Sequence, residues 1–152
     1  MNVIDDIKIL TGTKKVEQPE QTPQPPKKVL IVEDEKPLAD ILSTRLTEEG
    51  FQVSRAENGQ QGLEIAATFK PDIVLLDLLM PVMDGKEMLR NLRKIPDCDL
   101  TPVIILTNAG SIENIRETQF FSDADEFLIK SNVSMEEIIK KIKGKLLATR
   151  II

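Results

Sequence analysis

The sequence predicts an α/β fold, in which a doubly wound sheet of five parallel strands carries five helices within a single domain. Two observations lead to this prediction. Short runs of Val, Ile and Leu, typical of strands buried on both faces, alternate five times with stretches of helical periodicity. The alternation fills about 120 residues and contains no internal repeat, which leaves no room for a second domain. Crossovers between parallel strands are right-handed, so helices are expected on both faces of the sheet.

The strands are predicted from short apolar runs bounded by charged or turn-forming residues. The runs KVLIV and PVIILT are rich in β-branched residues, and DIVLLD is apolar between two carboxylates. The five predicted strands span residues 28–32, 51–56, 72–77, 102–107 and 126–130. Because the runs KVLIV, DIVLLD and PVIILT lack polar alternation, they favour a parallel sheet that is covered on both faces.

A segment with helical spacing of apolar residues follows each strand. In the first helix, Pro37 fits the first turn and Gly50 ends the helix. In the last helix, Ser134 and Glu137 form a capping box ahead of an apolar stripe. The other three helices are predicted from Asn58-Gly59 through Ala67, from Asp84 as N-cap to about Ile95, and around residues 112–121.

Residues 1–27 differ in composition from the rest of the chain. The stretch KKVEQPEQTPQPPKK cannot bury enough apolar surface to offset the entropy that ordering would remove. We therefore predict a flexible, Pro- and Gln-rich N-terminal tail at 1–27, a folded domain at 28–148 and a C-terminal tail at 149–152. The segment VIDDIKIL within the N-terminal tail is left open as a short helix, a strand or a docking element.

Composition excludes several classes of function. The net charge is −5, and the sequence has no basic region of the kind that binds nucleic acid. No apolar stretch is long enough to span a membrane, and the acidic start is unlike a signal peptide. Cys98 is the single cysteine, which fits a reducing, cytoplasmic compartment. Because histidine is absent, the chain can neither use imidazole as a base nor carry a phosphohistidine of its own.

Polar residues follow the predicted strands at the points where these end. Glu33 and Asp34 follow the first strand, and Asp77, Thr107 and Lys130 end the third, fourth and fifth. The carboxyl ends of parallel strands share one edge of the sheet, so these side chains are expected to converge there. Carboxylates so close together repel one another unless a cation lies among them, and Mg²⁺ prefers oxygen ligands. The pattern therefore predicts a metal site with a reactive aspartate.

Four motifs in this order, VEDE, LLDLLMPVMDG, ILT and FLIK, resemble the receiver domain of two-component response regulators. The resemblance covers residues 28–148, which is the whole predicted domain. Each motif alone is a weak signal, but all four on the predicted alternation form a strong one. The resemblance implies a stand-alone receiver with a flavodoxin-like sheet in the strand order 2-1-3-4-5.

The resemblance also implies a phosphorylation site. Asp77 is the implied phosphoacceptor, and Thr107 and Lys130 contact the phosphoryl oxygens. By the same resemblance, Glu33 and Asp34 would hold Mg²⁺ directly or through water, and Asp77 and the backbone carbonyl of Leu79 would complete its shell. The chain would catalyse only its own phosphorylation and dephosphorylation, so it is not expected to be an enzyme.

The implied function is a phosphorylation-activated signalling switch. By the same resemblance, Phe127 would turn inward when Thr107 moves, and the signal would leave through the face made by the fourth predicted helix, the fifth strand and the fifth helix. The implied phosphoryl donor is a histidine kinase or a histidine phosphotransfer protein. The implied outputs are a downstream protein partner and a phosphorylation-dependent homodimer, without direct contact to nucleic acid or membrane.

Three positions depart from the family pattern. Ser131 follows Lys130 where the family has proline, often after a cis peptide, so this peptide is expected to be either trans or strained. Asn108 is larger than the usual Ala or Gly and crowds the path to the phosphoryl group. Leu79 and Ala109 cannot orient a water molecule, which predicts slow loss of the phosphoryl group.

Two other functions stay open. The chain could be a receiver-like scaffold that is never phosphorylated, although such a protein has no physical reason to keep three mutually repelling carboxylates. A hydrolase of the haloacid dehalogenase type ranks third. That family requires a second aspartate two residues after the nucleophile, and Leu79 stands there.

Overall fold

The computed structural model describes residues 23–108, 110 and 124–148. Within these residues, five parallel strands form one sheet in the order β2-β1-β3-β4-β5, which confirms the predicted order. The strands are β1 Lys28–Val32, β2 Gln52–Ala56, β3 Ile73–Leu76, β4 Val103–Thr107 and β5 Glu126–Ile129. The helices are α1 Lys36–Glu48, α2 Gly59–Phe69, α3 Gly85–Leu92 and the last helix, Met135–Ala148. The predicted helix around 112–121 lies outside the described residues.

Two hydrophobic cores cover the two faces of the sheet, as a doubly wound fold requires. Successive residues of a strand point to opposite faces, so Leu30 and Ile31 of β1 belong to different cores. On one face, α1 contributes Leu42 and the last helix contributes Ile142. On the other face, α3 contributes the buried Leu89. The three central strands, β1, β3 and β4, are therefore apolar on both sides, which is why their sequences lack alternation, whereas the edge strand β2 is partly exposed.

The observed ends of the elements lie close to the predicted ones, with α3 as the main correction. The residues of β1 match their prediction, but α3 ends at Leu92 rather than near Ile95. Beyond Leu92 the chain tightens into turns, in which the backbone N–H of Ile95 donates to the carbonyl oxygen of Leu92 at 3.0 Å. The Arg93 side chain supports these turns by donating to the carbonyl oxygens of Cys98 and Thr101.

Capping residues end or begin other helices much as their sequences predict. The hydroxyl of Ser134 accepts a hydrogen bond from the backbone N–H of Glu137 at 3.2 Å, which is one half of the capping box. α2 continues past Ala67 to Phe69 and ends at Lys70, which adopts the left-handed conformation. None of the described helices combines the length and apolar character that a bilayer-spanning segment needs.

The start of α3 packs against the end of β3 because residue 85 is glycine. The backbone N–H of Gly85 donates to the carbonyl oxygen of Leu78 at 2.9 Å. Asp84 caps the helix by accepting from the backbone N–H of Glu87 at 2.9 Å. A Cβ atom on Gly85 would overlap the carbonyl oxygen of Asp77 and would lie 2.8 Å from Cα of Leu78. The helix can therefore begin directly against Asp77, a strand-end carboxylate.

Replacing Gly85 with alanine is expected to destabilise the fold, because the atoms that the added methyl group meets include backbone atoms that cannot move aside. We expect the free energy of unfolding to fall by about 1–3 kcal/mol. Urea denaturation followed by circular dichroism measures the change, since the chain has neither Trp nor Tyr as a fluorescent reporter.

Gly144→Ala is the matched control. Gly144 lies in the last helix, where no atom is within 4 Å of the position that a Cβ would take. Alanine should therefore raise the free energy of unfolding by about 0.5–1 kcal/mol. A Gly85→Ala protein as stable as the parent would contradict the close approach of α3 and β3.

Candidate functional site

The pairing of the strands places four functional residues along one edge of the sheet. β1 and β3 pair through their last residues, so the residues that follow them, Glu33 and Asp77, lie side by side. The backbone N–H of Lys130, directly after β5, donates at 2.8 Å to the carbonyl oxygen of Thr107, the last residue of β4. Because β1, β3, β4 and β5 are neighbours in this order, the four side chains share the carboxyl edge.

Three carboxylates form an acidic cluster at this edge. One oxygen each of Glu33, Asp34 and Asp77 lies within 4.8 Å of the others. Glu33 and Asp77 are buried, whereas Asp34 is exposed. Carboxylate oxygens at this spacing suit a hard divalent cation such as Mg²⁺.

The ammonium group of Lys130 faces this acidic cluster. Its Nζ atom lies 2.9 Å from Oε1 of Glu33 and 3.3 Å from Oδ2 of Asp77, and Oε2 of Glu35 is 3.5 Å away. The Lys130 side chain is 10% exposed, so water screens these contacts only weakly. The peptide bond between Lys130 and Ser131 is trans. The lysine therefore reaches the acidic cluster without the proline that the family usually has after it.

Burial raises the pKa of both buried carboxyl groups. The pKa of Glu33 rises to about 7, because loss of contact with water outweighs the hydrogen bond from Lys130, and the charge of Asp77 adds repulsion. Burial also raises the pKa of Asp77, although the charge of Lys130 opposes this. For Lys130, burial lowers the pKa, but Glu33 and Asp77 together reverse the shift and raise it. One ammonium thus does not fully offset the cost of burying these carboxylates, and a further cation would be favoured.

Thr107 is fully buried, and its hydroxyl has no hydrogen-bond partner among the described residues. A buried polar atom without a partner is unfavourable and commonly indicates a ligand or a functional role. Asn108, the next residue, is exposed. Phe127 pairs with Ile105 in the β4–β5 ladder and lies half-buried against the core beneath α2 and α3.

Leu79 lies two residues beyond Asp77 and is 62% exposed. Its backbone N–H donates to Oδ1 of Asp77 at 3.4 Å. The role of its carbonyl as a metal ligand stays a prediction. Ala109, the other position expected to affect loss of the phosphoryl group, lies outside the described residues.

Glu35 contacts the site although no role was predicted for it. It occupies the N-cap position of α1, where its side chain makes no capping hydrogen bond. Glutamate is not among the favoured N-cap residues, which are short and polar. A poor N-cap residue directly after an acidic pair is the signal by which the sequence could have indicated a second role for this side chain.

Comparison with known families gives a direct match. The model of the response regulator receiver domain matches residues 29–143, which is most of the chain. This range contains the acidic cluster, Thr107, Phe127 and Lys130.

Solved receiver domains share the fold. The receiver domain of the Francisella response regulator 1452 is 32% identical, with a TM-score of 0.70 over 81% of this chain and 98% of that chain. A CheY-like response regulator receiver domain protein from Methanospirillum hungatei JF-1 is 28% identical, with a TM-score of 0.74 over 82% and 97%. The signal receiver domain of a signal transduction histidine kinase from Syntrophus aciditrophicus is 31% identical, with a TM-score of 0.70 over 81% and 91%.

The sheet order, the acidic cluster at the carboxyl edge and these matches all agree with the resemblance seen in the sequence. Receiver domains are signalling modules rather than enzymes that turn over a separate substrate. The chain belongs to the receiver domain family of two-component response regulators.

Proposed function

We propose that the protein is a phosphorylation-activated signalling switch that accepts a phosphoryl group on Asp77 from the phosphohistidine of a partner. The donor is a histidine kinase or a histidine phosphotransfer protein, because the chain has no histidine of its own. The observation that carries this proposal is the contact, at 3.3 Å, between the buried Asp77 and Nζ of Lys130 within the acidic cluster.

Among the three clustered carboxylates, Asp77 is the best placed to accept the phosphoryl group. Oε1 of Glu33 already accepts from Lys130 and from a backbone N–H, and Asp34 is exposed to water. Asp77 instead has one oxygen near Lys130 and the other near the backbone N–H of Leu79. An Asp77 oxygen forms the new bond to phosphorus, and the bond to the donor imidazole breaks. Lys130 then donates to a phosphoryl oxygen.

The acidic cluster fits a magnesium ion by its donor chemistry. Three carboxylate oxygens within 4.8 Å of one another are hard ligands. Burial is the main cause of the raised pKa of Glu33, and added positive charge nearby would stabilise its ionised form. We propose that Glu33, Asp34, Asp77 and the backbone carbonyl of Leu79 hold the ion. When bound, Mg²⁺ supplies positive charge that offsets the negative charge of the transferring phosphoryl group.

The output of the switch runs through β4 and β5. Phosphorylation changes the local charge by roughly −1 to −2 and adds acceptor oxygens. Lys130 can follow these oxygens, and the buried Thr107 hydroxyl can donate to one of them. Because the backbone N–H of Lys130 is bonded to the carbonyl oxygen of Thr107, the two strand ends are mechanically linked. Repacking of Phe127 on β5 would then shift the equilibrium between two conformations of the surface next to it.

Among the described residues this surface is made by β5 and the last helix, and the sequence predicts that a helix around residues 112–121, outside the described residues, completes it. It is the proposed contact for a downstream protein or for a second, phosphorylated copy of the chain. The cytoplasm is the proposed location, since phosphorylated kinase partners and a lone reduced Cys98 are both expected there.

A receiver-like scaffold that is never phosphorylated is the second candidate. A scaffold needs only the fold, whereas the buried Glu33 and Asp77 and the unpartnered hydroxyl of Thr107 all reduce its stability. A hydrolase of the haloacid dehalogenase type finds less support, because the exposed Leu79 offers no second carboxylate beside Asp77.

Incubation with Mg²⁺ and a small phosphoryl donor should add one phosphoryl group to the parent and none to Asp77→Asn. The variant fails because a carboxamide is a much weaker nucleophile than a carboxylate. Intact-mass spectrometry measures the adduct, and chelation of Mg²⁺ should abolish it. Asp84→Asn is the control, because it changes an exposed Asp of the same loop into an equally good N-cap and should still be phosphorylated. An unmodified parent at every donor concentration would favour the scaffold.

Thr107→Val should stabilise the unphosphorylated protein. Valine has a similar shape and removes the buried hydroxyl that lacks a partner, so the free energy of unfolding should rise by about 1 kcal/mol. Urea denaturation measures the change. Thr101→Val is the matched control, because the buried hydroxyl of Thr101 donates to the carbonyl oxygen of Asp97 at 3.3 Å and should lower stability when removed. Equal destabilisation by both substitutions would show that the Thr107 hydroxyl has a partner in the resting state.

Leu79→Asn should accelerate loss of the phosphoryl group from Asp77. An amide near Asp77 can hold an attacking water molecule, and one hydrogen bond of about 1 kcal/mol corresponds to roughly a fivefold faster rate. The decay of the phosphorylated mass after removal of the donor gives this rate. Val82→Asn places the same amide on a more exposed position of the same loop and should leave the rate unchanged. Unchanged decay in Leu79→Asn would exclude a role for this position.

A further inference from the structure

The ammonium group of Lys130 contacts a third carboxylate outside the acidic cluster. Oε2 of Glu35 lies 3.5 Å from Nζ, compared with 2.9 Å for Glu33 and 3.3 Å for Asp77. The Glu35 side chain is 54% exposed, whereas those of Glu33 and Asp77 are 3% and 5% exposed. Glu35 therefore puts a negative charge on the solvent side of Lys130.

The contact of Glu35 with Lys130 is independent of helix capping. Glu35 is the N-cap residue of α1, and its side chain accepts no hydrogen bond from the first turn. Its backbone N–H donates to Oε1 of Glu33 at 3.2 Å, an interaction that any residue except proline can make. The Glu35 side chain thus contacts Lys130 and not the first turn of α1.

We propose that Glu35 is a positioning residue that makes the site discriminate among phosphoryl donors by their charge. It holds Lys130 in the resting arrangement and repels anionic donors that approach from the solvent. The proposal rests on phosphorylation of Asp77. A small donor with two negative charges is then disfavoured more strongly than a donor of similar size with one net charge.

The chemical step shows why Lys130 couples Glu35 to the donor. With acetyl phosphate, an oxygen of Asp77 forms a bond to phosphorus, the bond from phosphorus to the bridging oxygen breaks, and acetate leaves with the electron pair. Lys130 then turns from the carboxylates to the phosphoryl oxygens. The contact between Glu35 and Lys130 opposes this movement to a similar extent for every donor, so its loss accounts for a small general rise in rate, whereas the difference between donors comes from repulsion by the charge of Glu35.

Two small donors distinguish this proposal from a general effect on the site. Near neutral pH, acetyl phosphate is a dianion, whereas phosphoramidate has a net charge of −1. In Glu35→Gln, which removes the charge but keeps the shape, phosphorylation by acetyl phosphate should become about threefold to tenfold faster at low ionic strength. The rate with phosphoramidate should rise less than about twofold, and the difference should shrink as salt screens the exposed charge. Intact-mass spectrometry gives both rates in the full chain with saturating Mg²⁺.

Binding of Mg²⁺ without any donor gives a second readout. Loss of the negative charge of Glu35 should weaken binding of Mg²⁺ to the nearby cluster by about twofold to fivefold. Isothermal titration calorimetry measures this affinity. A merely structural contact would leave the affinity and the ratio of the two donor rates unchanged.

Glu48→Gln is the matched control. Glu48 is an exposed, ion-paired glutamate at the far end of the same helix, where it contacts Arg45. Its substitution should change neither the donor ratio nor the affinity for Mg²⁺. An equal change for both donors in Glu35→Gln, or the same donor preference in Glu48→Gln, would overturn the role of Glu35 alone. A parent chain that accepts no phosphoryl group from either donor would overturn both this role and phosphorylation of Asp77.

Discussion

The contact between Lys130 and two buried carboxylates is the interaction on which the site depends. Lys130 follows β5 and reaches past β4 to Asp77, which follows β3, and to Glu33, which follows β1. Two buried carboxylates side by side are unfavourable, and without the ammonium group they would lose their nearest compensating charge. The same side chain ties the outer strand β5 to the centre of the sheet, which is the link that the proposed phosphorylation of Asp77 would use.

The sequence could predict which residues meet at the carboxyl edge of the sheet, because local features of the sequence determine where each strand ends. Apolar runs show where each strand ends, and the strand–helix alternation indicates which ends share an edge. Contacts between distant side chains could not be predicted in this way. α3 ends early where the Arg93 side chain donates hydrogen bonds to carbonyl groups later in the chain. The contact of Glu35 with Lys130 depends on the conformation of two long side chains that are far apart in the sequence. Short-range periodicity contains neither kind of information.

Several features of the site reduce stability in the resting state. Burial raises the pKa of Glu33 to about 7, and the hydroxyl of Thr107 lacks a partner among the described residues. Each is a group that would gain an interaction if a cation or a phosphoryl oxygen were added. A two-state switch requires groups that interact with the ligand better in one conformation than in the other. A ligand shifts the populations of two conformations only through such a difference in interaction free energy.

The charges of the site also bear on which donor can reach it. Four carboxylates, those of Glu33, Asp34, Glu35 and Asp77, lie in or beside the cluster, and among the described residues Lys130 is the cation that forms ion pairs with three of them. This excess of negative charge favours the proposed metal cation, but it disfavours the proposed phosphoryl donor, which is itself an anion. A partner protein can offset the repulsion with binding energy from contacts far from the phosphoryl group, whereas a small donor has few contacts to offer. Under the proposed phosphorylation of Asp77, the electrostatics that would favour the metal would therefore also favour a protein as the donor.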